Sequence, residues 1–252
     1  MKPIDRLSFQ LYSARGLQPL EKQFELLASL GYKMVELFGG LYADPAKLRS
    51  LLDTHGMTAP TAHVGFDRLR ADVKAAIALC KSLGVKTMLA PAPLMGERDG
   101  DEAHWRKLGK ELAGYHKIVT GEGLSFGWHN HHWEYGKTAS GKTFLDCLFE
   151  EAPGLLWEAD LAWIVRGGAD PVAELGKRKD QLIAVHIKDL AAAGQNADED
   201  GWADPGHGVM DWTRLLAAIK ATTAEVYAVE HDKPNDVARF ARRARDTVAA
   251  WA

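Results

Sequence analysis

What most constrains this chain is a repeated alternation of short apolar runs with longer amphipathic stretches, one pair roughly every thirty residues. Residues 4–12, 33–37, 58–63, 85–90, 124–130, 155–159, 181–187 and 225–230 read as strands. Residues 19–30, 45–55, 67–83, 102–120, 143–150, a segment opening at 170–171, 211–220 and 234–251 read as helices. The punctuation agrees. Asp44-Pro45 and Asp170-Pro171 each put a capping carboxylate before a proline, whose fixed φ and missing N–H suit a first helical turn. Gly31, Gly56 and Gly84 fall where helices must stop. Strands alternating with helices imply a parallel sheet. Eight units in 252 residues, with no break in composition, predict one α/β domain over 1–252, a (β/α)8 TIM barrel. A doubly wound open sheet is the alternative, weakened because no Gly-x-Gly-x-x-Gly turn follows the first strand. No P-loop or nucleophile elbow is present either.

Composition then removes whole classes of partner. The formal net charge is -3 with both signs mixed along the chain, so neither nucleic acid nor an anionic membrane is expected. No apolar run is long enough to span a bilayer, and no signal peptide is read at the start. Cys80 and Cys147 sit in apolar helical patterns and read as buried thiols of a cytoplasmic protein. Several of the eight tryptophans flank the polar strand ends, which suits a pocket with apolar walls.

The polar residues have a common address. Glu36, His63, His129, His131, Asp160, His186, Lys188 and Glu230 fall at or just past the ends of predicted strands 2, 3, 5, 6, 7 and 8. In a barrel those ends share the rim that carries the active site. Clustered carboxylates and imidazoles need a counter-charge, which a divalent metal supplies. The mixed ligand types suit Mn²⁺, Co²⁺, Fe²⁺ or Zn²⁺. Each residue also has a plain structural reading: Asp160 as a helix cap, His186 as a core histidine, Lys188-Asp189 as a solvated loop start, Glu36 as a brace. Glu158 shares the parity of Asp160, so one of the two should face the barrel. By the same alternation His132 and His231 point outward. The segment 189–210, poor in apolar residues, reads as a mobile loop over the pocket.

Five stretches together carry a resemblance. Phe126-Gly-Trp-His-Asn-His-His-Trp-Glu134, Trp157-Glu-Ala-Asp-Leu-Ala-Trp163, His186-Ile-Lys-Asp189, Gly206-His-Gly-Val-Met-Asp-Trp212 and Val229-Glu-His-Asp232 resemble the xylose isomerase-like barrel superfamily, in its sugar phosphate isomerase/epimerase-type members. The resemblance implies one divalent ion held by side chains at the ends of strands 5 to 8. Asp160, His186 and Glu230 match three of those ligands. At strand 5 many relatives carry Glu-Asn-His where this chain has His129-Asn130-His131, so the fourth ligand is either His129 or Glu134. Glu134 is preferred, because a third carboxylate suits a site for an alkoxide-bearing sugar. His207 stands where relatives often carry an acid and is read as touching the substrate's far end.

The expected activity is a metal-dependent isomerase or epimerase of a sugar, keto-sugar or cyclitol. It would abstract a proton next to a metal-bound carbonyl, forming an enediolate. His131 is the first choice of base, because an imidazole titrates near working pH. His129, Lys188, Glu36 and His63 are expected to bind hydroxyls, relay protons or stabilise charge. A dehydratase or lyase acting on an inosose or 3-keto glycoside is the alternative. A phosphodiester hydrolase and a non-catalytic sugar-binding barrel rank lower.

Overall fold

A computed structural model describes residues 2–251. Eight parallel strands form the frame: β1 (Leu7–Gln10), β2 (Met34–Glu36), β3 (Thr61–His63), β4 (Thr87–Ala90), β5 (Ser125–His129), β6 (Leu156–Asp160), β7 (Leu182–Ile187) and β8 (Val226–Val229). Their order is β2-β1-β8-β7-β6-β5-β4-β3. The seam between β2 and β3 is held by two isolated parallel bridges, Met34–Thr58 and Leu37–Ala62, which nearly close the barrel. Among the described residues nine helices accompany the strands: α1 (Leu20–Ser29), α2 (Pro45–Thr54), α3 (Phe66–Leu83), α4 (Glu102–Gly121), α5 (Phe144–Glu151), α6 (Leu161–Arg166), α7 (Pro171–Lys177), α8 (Trp212–Lys220) and α9 (Val237–Ala250). Among the described residues no helix is long and apolar enough to cross a membrane.

Strand alternation sorts the side chains into two environments. Phe9 packs on Phe240, Trp128 on Trp105 and Trp157 on Phe149, so this parity faces the helix layer. Gln10, Glu36, His63, His129, Glu158, Asp160 and His186 have the opposite parity and meet inside the barrel. Strands buried on both faces read as continuous runs instead of alternating ones. The expected helix starts hold: Asp44 and Asp170 accept from Lys47 N and Val172 N, with proline next in each case.

Three local features differ from the sequence reading. Residues Pro3–Arg6 form a 3₁₀ turn ahead of β1, so the first strand is shorter than 4–12. A short helix, α6, starts directly after Asp160. The segment 189–210 is tied down instead of loose. Asp189–Leu190 and Trp202–Ala203 pair as an antiparallel ribbon. The Asp189 carboxylate, fully buried, accepts from the backbone N of Leu190, Gly206, Gly208 and Met210 and from Trp212 Nε1. Five donors on one carboxylate rule out a solvated loop start. Gly208 is needed for this closure, since a Cβ there would stand 2.2 Å from Asp189 Oδ1.

Candidate metal centre

Strand register delivers the site. His129 is beside Glu158, Asp160 beside His186, and Ala228 on the other side of His186, just before Glu230. Two sets of ligand atoms converge and share one imidazole: Asp160, His186 and Glu230, and His63, His129, Glu158 and His186. A buried group of histidine and carboxylate ligands of this kind could bind a metal ion.

His186 joins the sets through its two ring edges. Nδ1 is 2.9 Å from Glu230 Oε2 and 3.8 Å from Asp160 Oδ2. Nε2 is 2.8 Å from Glu36 Oε1 and 3.2 Å from Glu158 Oε2. His63 Nε2 is 2.6 Å from the same Glu158 oxygen. Glu36 is held from behind by Gln10 Nε2 at 2.6 Å. Asp160 does two jobs: Oδ1 caps α6 by accepting from Trp163 N, and Oδ2 faces Lys188 and His186. The helix-cap reading and the site reading are therefore both satisfied by one residue. Lys188 is fully buried, with Nζ 3.1 Å from Glu230, 3.5 Å from Asp160 and 2.7 Å from Asp232.

Burial and charge pull the site's proton affinities apart. For His63, burial opposes protonation, but Glu36 and Glu158 outweigh it and raise the imidazole to about 10. The same contest, with Glu158, Glu230 and Glu36, raises His186 well above its usual value. Burial would raise the Glu36 and Glu230 carboxyls; imidazoles beside Glu36, and Lys188 with His186 beside Glu230, hold both well below. Burial wins at Asp160, raising it to about 6 against the Lys188 charge. His129 goes down, through burial and then the charge on His186. His131 goes down through burial and then Lys188.

The charges make the case for a cation. Five carboxylates gather here, Glu36, Glu158, Asp160, Glu230 and Asp232, with one lysine, Lys188, which reaches only the last three. With neutral imidazoles the excess is strongly negative in a space with little water, so protons on histidines or a divalent ion must offset it. Unspent ligand atoms remain as well. Glu36 Oε2, Glu158 Oε1 and His129 Nδ1 are buried without a hydrogen-bond partner. His129 Nδ1 lies 2.9 Å from Glu158 Oε2. The residues fit a divalent ion.

Not every expected residue joins the cluster. Glu134 is fully buried, yet belongs to neither converging set. The 3₁₀ turn Trp133–Tyr135 tucks its carboxylate under β5, where it accepts from Trp128 Nε1 at 3.1 Å and from His131 N. His131 stands at the cavity wall, stacked on Trp133 with centroids 4.4 Å apart. His207 is exposed and does not line the cavity. His132 is exposed, and His231 packs outward against Phe240. Sequence reasoning missed Asp232 and allowed only one of Glu158 and Asp160 to face inward; their shared parity was the signal, and both do.

The cluster opens on a cavity of about 660 Å³. His63, His129, His131 and Glu230 form its floor edge, and Trp133, Trp163 and Trp202 stand in its walls. Residues 24–249 match the family model of the xylose isomerase-like TIM barrel. The chain belongs to that family. Within reach of this xylose isomerase-like barrel is the rhizopine catabolism protein MocC of Rhizobium meliloti, 22% identical over 237 residues, covering 82% of this chain and 72% of MocC. Among solved structures, a sugar phosphate isomerase/epimerase from Parabacteroides distasonis superposes with TM-score 0.79 at 20% identity, covering 97% of each chain. The IOLI protein, solved with a zinc atom bound, gives TM-score 0.78 at 18% identity, covering 98% of this chain and 99% of its own. At such identities the structural likeness speaks for the fold.

Proposed function

We propose that this chain is a divalent-metal-dependent isomerase or epimerase of a sugar, keto-sugar or cyclitol. The observation that carries the reading is the double use of His186. One ring edge meets Glu230 and Asp160 beside the cavity, and the other is gripped by Glu36 and Glu158. A ligand imidazole whose far nitrogen is fixed by a carboxylate is the arrangement metal sites use to set ring tautomer and orientation. Asp160, His186 and Glu230 would hold the ion, with His129, drawn from the second set that shares His186, as fourth ligand. Glu36, Glu158 and His63 form the brace behind them. His129 suits ligation because burial lowers the proton affinity of its imidazole and its ring stands at the cavity edge beside His186.

A bound divalent ion supplies Lewis acidity toward a carbonyl oxygen and its neighbouring hydroxyl, which acidifies the C–H between them. Protein groups do the rest. His131 is neutral, lines the cavity and is steadied by Trp133, so it is placed to accept the proton. Burial and the Lys188 charge lower its proton affinity, which weakens it as a base relative to the free imidazole expected from the sequence. Lys188 keeps positive charge beside developing negative charge. His63, held by Glu36 and Glu158 at the cavity edge, is the candidate acid. Tryptophan walls exclude water and offer faces for sugar C–H groups. Both the MocC likeness and the isomerase/epimerase fold neighbours are in keeping with a small polyhydroxylated substrate.

The test is exchange of carbon-bound hydrogen with solvent deuterium, followed by NMR for a panel of keto-sugars and inososes with Mn²⁺ added and after chelation. Exchange at the carbon next to the carbonyl, lost on chelation and restored by metal, is expected. Absence of exchange from the whole panel, or exchange indifferent to chelation, counts against the reading.

A further inference from the structure

Four arginines line the cavity: Arg15 in the connection after β1, Arg68 in the first turn of α3, Arg98 in the connection after β4 and Arg166 at the end of α6. Among the described residues none of them makes an ion pair, whereas eight of the ten arginines elsewhere in the chain, all but Arg6 and Arg242, reach a carboxylate. Acids stand near, Asp160, Asp200 and Asp232 around Arg166 and Asp67 beside Arg68, but none closes an ion pair with these guanidinium groups. Arg15, Arg68 and Arg166 are exposed and Arg98 is half-buried, so they stand outside the buried His/Glu cluster, toward the cavity mouth.

All four lie over aromatic rings, Arg68 the farthest at 5.4 Å from the Tyr42 centroid. Arg15 is 3.8 Å from the Tyr12 centroid, Arg98 is 4.4 Å from Trp133 and Arg166 is 3.2 Å from Trp202. A guanidinium held flat keeps its N–H edge pre-organised for a planar or tetrahedral oxyanion. Arg15 and Arg166 spend some of that edge on the backbone oxygens of Tyr12, Asp232 and Asp200. Arg98 spends none, and its Nε is buried without a partner. Most other charges of the lining are already matched: Lys233 with Asp200, and Asp232 and Glu230 with Lys188. Asp67, beside Arg68, is the remaining carboxylate, too little for four guanidinium groups.

We propose that the substrate of this cavity carries an oxyanion, a carboxylate or a phosphate, at the end remote from the His/Glu cluster, bound by this arginine collar with Arg98 at its centre. The proposal rests on the cavity being the substrate site. A neutral sugar offers hydroxyls, which polar uncharged groups bind equally well; uncompensated cations give selectivity for an anion.

Calorimetric titration of the protein with sorbitol, sorbitol 6-phosphate and gluconate tests this. At least one anion should bind about tenfold or more tightly than sorbitol, and added NaCl should shrink that advantage while leaving sorbitol unchanged. Arg98→Gln should remove most of the advantage, and Arg245→Gln, outside the cavity, none of it. Which anion gains tells phosphate from carboxylate. Equal binding of all three, no binding of either anion at millimolar concentration, or an anion advantage that persists with all four arginines changed to Gln in a folded protein overturns the proposal. If Arg98→Gln does not fold, salt dependence in the parent protein still decides. Failure here with chelation-sensitive deuterium exchange leaves the metal reading standing; anion selectivity without metal dependence does the reverse.

Discussion

Two buried glutamates near the same strand ends have opposite fates, and the contrast explains how this barrel rim works. Glu134, in the turn after β5, is surrounded by an indole N–H and a backbone N–H. Burial dominates there and pushes its carboxyl up to about 8 despite those donors. Glu158, on β6, is equally buried, and burial and the Glu36 charge push it upward too. The imidazoles of His186 and His63, with His129 beside them, outweigh both and hold it below the usual range. Burial alone therefore does not make a charged site. What decides is whether the neighbours can carry positive charge, whether as imidazolium or as a metal ion. Glu134 clasps a turn; Glu158 braces a ligand shell.

The largest way to break this contrast is through pH. A carboxyl raised from 4.5 to about 8 favours the folded state's protonated form. Below pH about 4.5 it contributes nothing, because folded and unfolded chains are both protonated. From there to pH 8 the unfolded chain loses the proton and the folded chain keeps it, so the penalty grows to several kcal/mol, about 1.4 per pH unit. Glu134→Gln, which mimics the protonated form, should match the parent in thermal stability near pH 5 and exceed it increasingly toward pH 8. A difference independent of pH would mean that Glu134 is ionised in the fold.

Next in size is metal affinity. Glu158→Gln should weaken the ion about 10- to 100-fold, the usual cost of losing a carboxylate that orients a ligand. Glu134→Gln should change it little. Both are read by competition with a chromophoric chelator, and equal losses would merge the two roles. Smallest is Trp128→Phe, which removes the indole donor to Glu134 and should cost about 1 kcal/mol in denaturant unfolding. No comparable loss of bound metal should accompany it.

The strand ends were legible in the sequence because period-two alternation and capping residues are local. Asp44-Pro45 and Asp170-Pro171 start helices as read, and Glu36, His63, His129, Asp160, His186 and Glu230 all reach one end of the barrel. What local pattern could not supply was direction after a strand ends. Glu134 is five residues past His129, a distance that permits folding back, but the turn Trp133–Tyr135 takes it beneath β5. Asp189 read as loop because its donors come from residues 206, 208, 210 and 212, a pairing that exists only once the ribbon has closed. The four cavity arginines were hidden for the same reason: two loops and the ends of two helices each contribute one residue, with no run or spacing to mark them.

The account turns on which side chain completes the ligand set beside Asp160, His186 and Glu230. Metal stoichiometry by inductively coupled plasma mass spectrometry, on the parent, His129→Ala and Glu134→Ala proteins loaded with Mn²⁺ or Zn²⁺ and desalted, tests it most directly. One ion per chain in the parent and in Glu134→Ala, with marked loss in His129→Ala, is the predicted result. Loss in Glu134→Ala with retention in His129→Ala, or no ion in the parent, would contradict it.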